Sequence, residues 1–193
     1  GYKNNKFGFL LNKPVVDTRH HGKRHEAQYC LDLLEELGVK SNDLALVLPV
    51  RKDALLWVDG LWAKYNLDDQ HKIVAVHFGA SDPARQWPAE NFARLIDTLI
   101  QRYASRVIII GSPQEVEVGK GVRSQCLGPV IDLTGQTTLA RLTALLSRCT
   151  LLISNDSGPV HVASGVGTPV ISIFTRNQPG INPERWRPLG NHS

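Results

Sequence analysis

Leu151-Leu152-Ile153-Ser154-Asn155-Asp156-Ser157-Gly158-Pro159-Val160-His161 is the stretch on which the fold turns. Thr150 to Ser154 reads as a buried strand and Ser157 to Gly165, running into the small residues Val162 to Gly167, as a helix, so the chain turns sharply between them. Asp156 and Ser157 are N-cap candidates. Pro159 suits the first helical turn, where its missing N–H would be unpaired in any case. Such a turn offers free backbone N–H groups and the positive end of the helix dipole. Gly158 places no side chain between an anion and that backbone, so a phosphate or diphosphate is the natural occupant, with His161 one turn further in and within reach. Taken alone, the same residues also suit a capped helix that binds nothing.

Outward from this turn the pattern repeats. Pro169 to Phe174 reads as the following strand; upstream, Ile73 to Phe78, Val107 to Ile110 and Val130 to Leu133 read as three more. Helical periodicity falls between them. Pro88 to Tyr103 carries Phe92, Leu95, Ile96, Leu99 and Ile100 on one face, Pro113 to Gln125 is a weaker helix, and Leu139 to Ser147 is another. Near-continuous aliphatic strands alternating with helices predict a parallel sheet covered on both faces, a Rossmann-like α/β domain with ligands at the carboxyl ends of its strands. Three loops then qualify as ligand loops: Gly79 to Trp87, Gly111 to Glu115 and Asn155 to His161. No G-x-G-x-x-G follows any strand, so a dinucleotide cofactor is not expected.

Before residue 72 the pattern is looser. Lys6 to Leu11 reads as a short apolar strand, Asn12 to Arg24 as a punctuated connection, and His25 to Leu37 as an amphipathic helix with Tyr29, Leu33, Leu34 and Leu37 inward and Gly38 as its stop. Residues 39–52 look extended, and Asp53 to Tyr65 reads as a helix despite Gly60.

The 193 residues are 42% hydrophobic and 21% charged, the composition of a soluble globular domain. No apolar run approaches the ~18 residues of a membrane span, and no N-terminal stretch reads as a signal peptide. Cys30, Cys126 and Cys149 lack metal-ligand spacing and read as buried or half-buried thiols of a reducing compartment. A net charge of +4 favours anionic partners: nucleotides, acidic glycolipids or a membrane surface. The one basic cluster, Arg19 to His25, has no interleaved aromatics and reads as a solvated linker, not a nucleic-acid platform. The chain begins at Gly1 and contains no Met, as a piece of a longer protein would.

Read together, several motifs resemble the C-terminal domain of glycosyltransferase family 9, the ADP-heptose:lipopolysaccharide heptosyltransferases and their relatives. They are His77-Phe78-Gly79-Ala80-Ser81 with Arg85-Gln86-Trp87-Pro88, Gly111-Ser112-Pro113-Gln114-Glu115, Asp132-Leu133-Thr134-Gly135 with Thr138-Leu139, the Asp156 to His161 signature, and Gly167-Thr168-Pro169-Val170. His25-Glu26 resembles the family's interdomain region. The resemblance implies the C-terminal half of a GT-B fold, with residues 1–70 an interdomain segment and remnant of the N-terminal domain, and residues 71–193 the nucleotide-sugar-binding domain. It also implies an inverting glycosyltransferase of lipopolysaccharide-core synthesis, cytoplasmic or peripheral at the inner membrane of a Gram-negative bacterium, with ADP-heptose as donor and no cofactor.

Carried over by position, the resemblance has Asp156 contact sugar hydroxyls, and Ser157, Gly158 and His161 hold the diphosphate. Ser81 and Arg85 contact phosphate, Arg85 also stabilising the leaving group, and Glu115 holds the ribose hydroxyls. The acceptor and the general base belong to the N-terminal domain. Departures from the family pattern are Arg85, where well-known members have Lys, Thr175, where Gly is common, and a longer segment from Arg176 to Glu184. The chain has no D-x-D pair to hold a metal, and protein cations and N–H donors can stabilise a departing diphosphate without one.

Each residue also has a plainer reading: Arg85 a solvated loop residue, Ser81 a turn serine, Glu115 a carboxylate opposing its helix dipole, and His77 a core histidine. The four tryptophans read as packing residues, Trp87 doubling as a wall of the nucleotide pocket. Two other functions fit the motifs. One is a nucleotide-sugar 2-epimerase-like isomerase, which shares the architecture and an Asp-Ser-Gly turn but usually follows it with acidic residues. The other is a non-catalytic nucleotide-sugar-binding module.

Overall fold

A computed structural model describes residues 1–4 and 6–190. The chain forms two compact units: Gly1–Ala45 with Arg176–Arg187, and Leu46–Thr175 with Pro188–Ser193. The division differs from the one expected at residue 70 because helix α2 (Lys52–Tyr65) packs into the second unit, with Ala54, Val58 and Trp62 in the same core as Ala144, Leu145 and Leu146.

The second unit holds β1 (Ile73–His77), α3 (Ala89–Tyr103), β2 (Arg106–Ile110), α4 (Val116–Gln125), β3 (Val130–Asp132), α5 (Leu139–Ser147), β4 (Leu151–Asn155), α6 (Gly158–Gly165) and β5 (Val170–Ile173). Its five strands are all parallel and ordered β3-β2-β1-β4-β5. Successive side chains of a strand face opposite ways. Ile73 and Ala75 of β1, with Ile108 and Ile110 of β2, join the core under α2, α5 and α6. Val74 and Val76, with Val107 and Ile109, join the core under α3 and α4, where Phe92 and Ile96 are fully buried. Both faces are therefore covered, which is why these strands read as unbroken aliphatic runs. The strand order reverses between β1 and β4, and the crevice outside their carboxyl ends is where a sheet of this kind binds ligands.

The first unit holds α1 (Glu26–Glu35), α7 (Pro183–Trp186) and short 3-10 turns. The expected strand at Lys6 to Leu11 is a 3-10 turn, Gly8–Leu10, with Phe7, Phe9 and Leu10 exposed: among the described residues no neighbouring strand pairs with it. Of the residues expected inward on α1, Tyr29 is buried and Leu33 half-buried, but Leu34 and Leu37 are exposed. Residues 39–51 pair in no strand. Cys30 is exposed, neither buried nor half-buried as expected; Cys126 is half-buried and Cys149 buried.

Candidate functional site

The register of the sheet puts His77 beside both Ile110 and Ser154, so β1, β2 and β4 end together. The three candidate loops consequently leave from one edge. Ser81, Arg85, Glu115, Asp156, Ser157, Gly158 and His161 all lie on these loops or on the first turn of α6.

At the turn after β4, Asn155 and Asp156 are buried and Gly158 is exposed. Ser157 is the N-cap of α6, but its hydroxyl makes no capping bond. It lies instead 3.1 Å from His77 Nδ1 and 3.0 Å from Ser154 Oγ, and donates to the Asn155 carbonyl. The helix therefore opens without the expected side-chain cap from Asp156 or Ser157, leaving its first turn to other partners.

Asp156 is held against Arg85, with Oδ2 3.8 Å from Nη1. Burial pushes the Asp156 carboxyl above its ordinary value, while Arg85 and His161 pull it back. His161, half-buried in the first turn of α6, is thereby placed within electrostatic reach of Asp156. Arg85 Nε is buried and has no hydrogen-bond partner among the described residues. A buried guanidinium N–H without an acceptor is costly, and an anionic ligand would relieve it.

Ser81 is exposed on the same loop. Glu115 is more engaged than the ribose role implies. Its Oε2 accepts from the Ser112 N–H at 2.6 Å, in a capping box, and faces His77 Nε2 at 3.7 Å. The His77 ring, opposed by burial and helped by Ser112, holds the Glu115 carboxyl down at about 2. Gly79 is what admits this carboxylate, since a Cβ there would lie 1.5 Å from Glu115 Oε1. Trp87 packs edge-on against Phe92 at 5.1 Å between centroids, a packing role.

Two residues that sequence reasoning passed over organise the site. His77, read as core, is buried but joins Glu115 to Ser157. Asn155, fully buried, spans the crevice by accepting from the Trp87 N–H at 3.0 Å and donating to the Phe78 carbonyl. A polar residue at the end of an apolar strand was the available signal for both.

A cavity of about 260 Å³ adjoins this edge, lined by His77, Glu115, Thr138, Leu139, Leu142 and Pro159 among others. A larger hollow, about 450 Å³, lies beside the starts of β2 and β3, lined by Tyr65, Leu67, Arg106 and Val130 among others. There Arg123 donates to the Val130 carbonyl at 2.6 Å. The smaller cavity is the one beside the convergent polar groups.

Residues 31–193 match the model of Glycosyltransferase family 9 (heptosyltransferase). The chain is 29% identical over 159 residues to lipopolysaccharide core heptosyltransferase OpsX of Haemophilus influenzae, covering 81% of this chain and 43% of that protein. It is 30% identical over 164 residues to lipopolysaccharide heptosyltransferase 3 of Escherichia coli K12, covering 80% and 44%. Among solved structures, a family 9 glycosyl transferase from Veillonella parvula superposes with a TM-score of 0.82 at 29% identity, over 95% of this chain and 53% of that one. Escherichia coli ADP-heptose lps heptosyltransferase II shares the fold, with a TM-score of 0.77 at 21% identity, over 100% and 59%. The chain thus spans about half the length of the proteins it matches.

Proposed function

The chain belongs to glycosyltransferase family 9, and from that premise we propose that it is the donor-binding part of an inverting heptosyltransferase of lipopolysaccharide-core synthesis, using ADP-heptose. The observation that carries this reading is Arg85: a guanidinium with a buried, unpartnered Nε, held 3.8 Å from Asp156 at the edge where the sheet order reverses. The uncapped start of α6 adds N–H donors and the positive end of a helix dipole.

In this reading the diphosphate sits on the Ser157-Gly158 backbone between Arg85 and His161, and Asp156 takes sugar hydroxyls. The nucleoside enters the cavity of about 260 Å³ beside Glu115, a size suited to part of a ligand. Displacement at the anomeric carbon builds negative charge on the departing ADP, which the N–H groups and Arg85 stabilise; losing one such donor costs about 3 kcal/mol in comparable sites. By the family resemblance, the rest of the protein brings the core acceptor and the base that takes its proton, and works at the cytoplasmic face of an anionic membrane.

Calorimetric titration with ADP and ADP-heptose at two salt concentrations tests the site. Arg85→Ala is expected to weaken ADP by about tenfold, or ~1.4 kcal/mol, and to flatten the salt dependence, because a cation–phosphate contact is lost. An unchanged dissociation constant with an unchanged salt slope returns Arg85 to the solvated surface.

A further inference from the structure

The loop between β1 and α3 carries Ser81 and Arg85 but has little apolar burial to fix its course: Ser81, Pro83 and Ala84 are all exposed. Polar contacts hold it instead. Asn155 closes the base, one side-chain amide bonding Phe78 at its start and Trp87 at its end. Within the loop, Asp82 Oδ1 accepts from the Ala84 N–H at 2.9 Å and Gln86 Nε2 donates to the Ala80 carbonyl at 3.0 Å. Beside the Arg85–Asp156 ion pair, a hydrogen bond reaches the loop from beyond β5: Thr175 Oγ1, two residues past that strand, donates to the Ala84 carbonyl at 2.7 Å.

We propose that Thr175 is a positioning residue of the donor site, its hydroxyl holding the loop so that Arg85 stands beside Asp156 before a donor arrives. This rests on the reading of Arg85 as a diphosphate ligand. The Ala84 carbonyl belongs to the peptide unit that leads into Arg85, so anchoring that oxygen orients the backbone from which the guanidinium springs. Asn155 fixes the two ends of the loop, its own turn bonds shape the middle, and Thr175 ties that middle to the segment after β5. Without the hydroxyl the loop samples other courses, and apparent affinity falls in proportion to the fraction of time Arg85 is in place.

Thr175 is exposed, and Thr175→Val keeps its shape while removing only the donor, so the fold is not at stake. ADP titrations on the wild-type chain, Thr175→Val, Thr175→Ser, Arg85→Ala and the Arg85→Ala/Thr175→Val pair make the test, with amide hydrogen exchange over residues 80–87 measured without ligand. Thr175→Val is expected to weaken ADP by about three- to tenfold and to speed exchange in the loop, while Thr175→Ser retains both properties. In the Arg85→Ala background the valine should change affinity no further, because the two residues act as one unit. Wild-type affinity and exchange in Thr175→Val overturn the proposal. So does an equal loss on the Arg85→Ala background, which would make Thr175 a ligand contact in its own right. If Arg85→Ala weakens ADP and Thr175→Val does not, the donor-site reading stands and the latch falls. Undiminished binding by Arg85→Ala overturns both.

Discussion

Gly158 opens α6 with nothing within 4 Å of the place a Cβ would occupy, and its φ lies outside the left-handed region. A side chain there meets open space and no backbone strain, so folding does not require glycine at this position. Gly79 is the contrast: an added Cβ would lie 1.5 Å from Glu115 Oε1, so a side chain there would have to displace the Glu115 carboxylate. Gly158→Val is therefore expected to lower affinity for an ADP-sugar by more than tenfold, ~1.4 kcal/mol or above. The melting temperature without ligand should barely move. Both are measured on one preparation; full affinity in the variant would sink the backbone cradle. Asp156 follows the same logic at a charged residue. It is kept buried, its carboxyl pushed up by desolvation, where an uncharged residue would sit more comfortably.

At the scale of elements, Glu115 belongs first to the start of α4. The resemblance implies a ribose ligand here and the residues alone suggest a first-turn carboxylate; Glu115 accepts from the Ser112 N–H and faces His77. Its carboxyl is lowered from an ordinary 4.5 to about 2. A depressed carboxylate stabilises the fold fully above its unfolded value, and that contribution drains away as pH falls from about 4.5 towards 2. Glu115→Gln should cost about 1–2 kcal/mol at neutral pH once solvent screening is allowed for, and its stability should fall less steeply over that acid range. Urea midpoints from pH 7 downward measure this; an acid limb as steep as wild type would count against the Glu115–His77 contact. Elements also mark where periodicity misled. Lys6 to Leu11 has the alternation of a strand, yet a strand exists only when another pairs with it, and Gly8–Leu10 closes on itself instead. Leu34 and Leu37 have helical spacing, but spacing does not say whether anything packs against that face.

At the scale of the whole molecule, the chain's first residues and its last helix build one unit. Glu26 accepts from Arg185 at 2.7 Å and from Arg19 at 3.3 Å, Arg19 also pairs with Asp17, and His25 Nε2 lies 2.9 Å from the Arg187 carbonyl. Glu26→Ala leaves two part-buried guanidiniums short of a partner, at a cost of about 1.5–3 kcal/mol. Hydrogen exchange should report it as lost protection in α1 and residues 180–187, with the sheet amides unchanged; equal loss in the sheet would show that the network does not belong to this unit alone. The sequence by itself determined the sheet, its helices and the edge where the candidate loops meet, because aliphatic runs, helical periods and Gly/Pro punctuation are local signals that a parallel, doubly covered sheet imposes along each strand and helix. It also carried the family, through ordered motifs. Only the tertiary structure decided which polar residues hold the site in place. Asn155, His77 and Thr175 act on Trp87, Glu115 and Ala84 across separations of 68, 38 and 91 residues. Such pairings leave no periodic trace in the chain, because hydrogen bonds depend on distance in space and not on position in sequence.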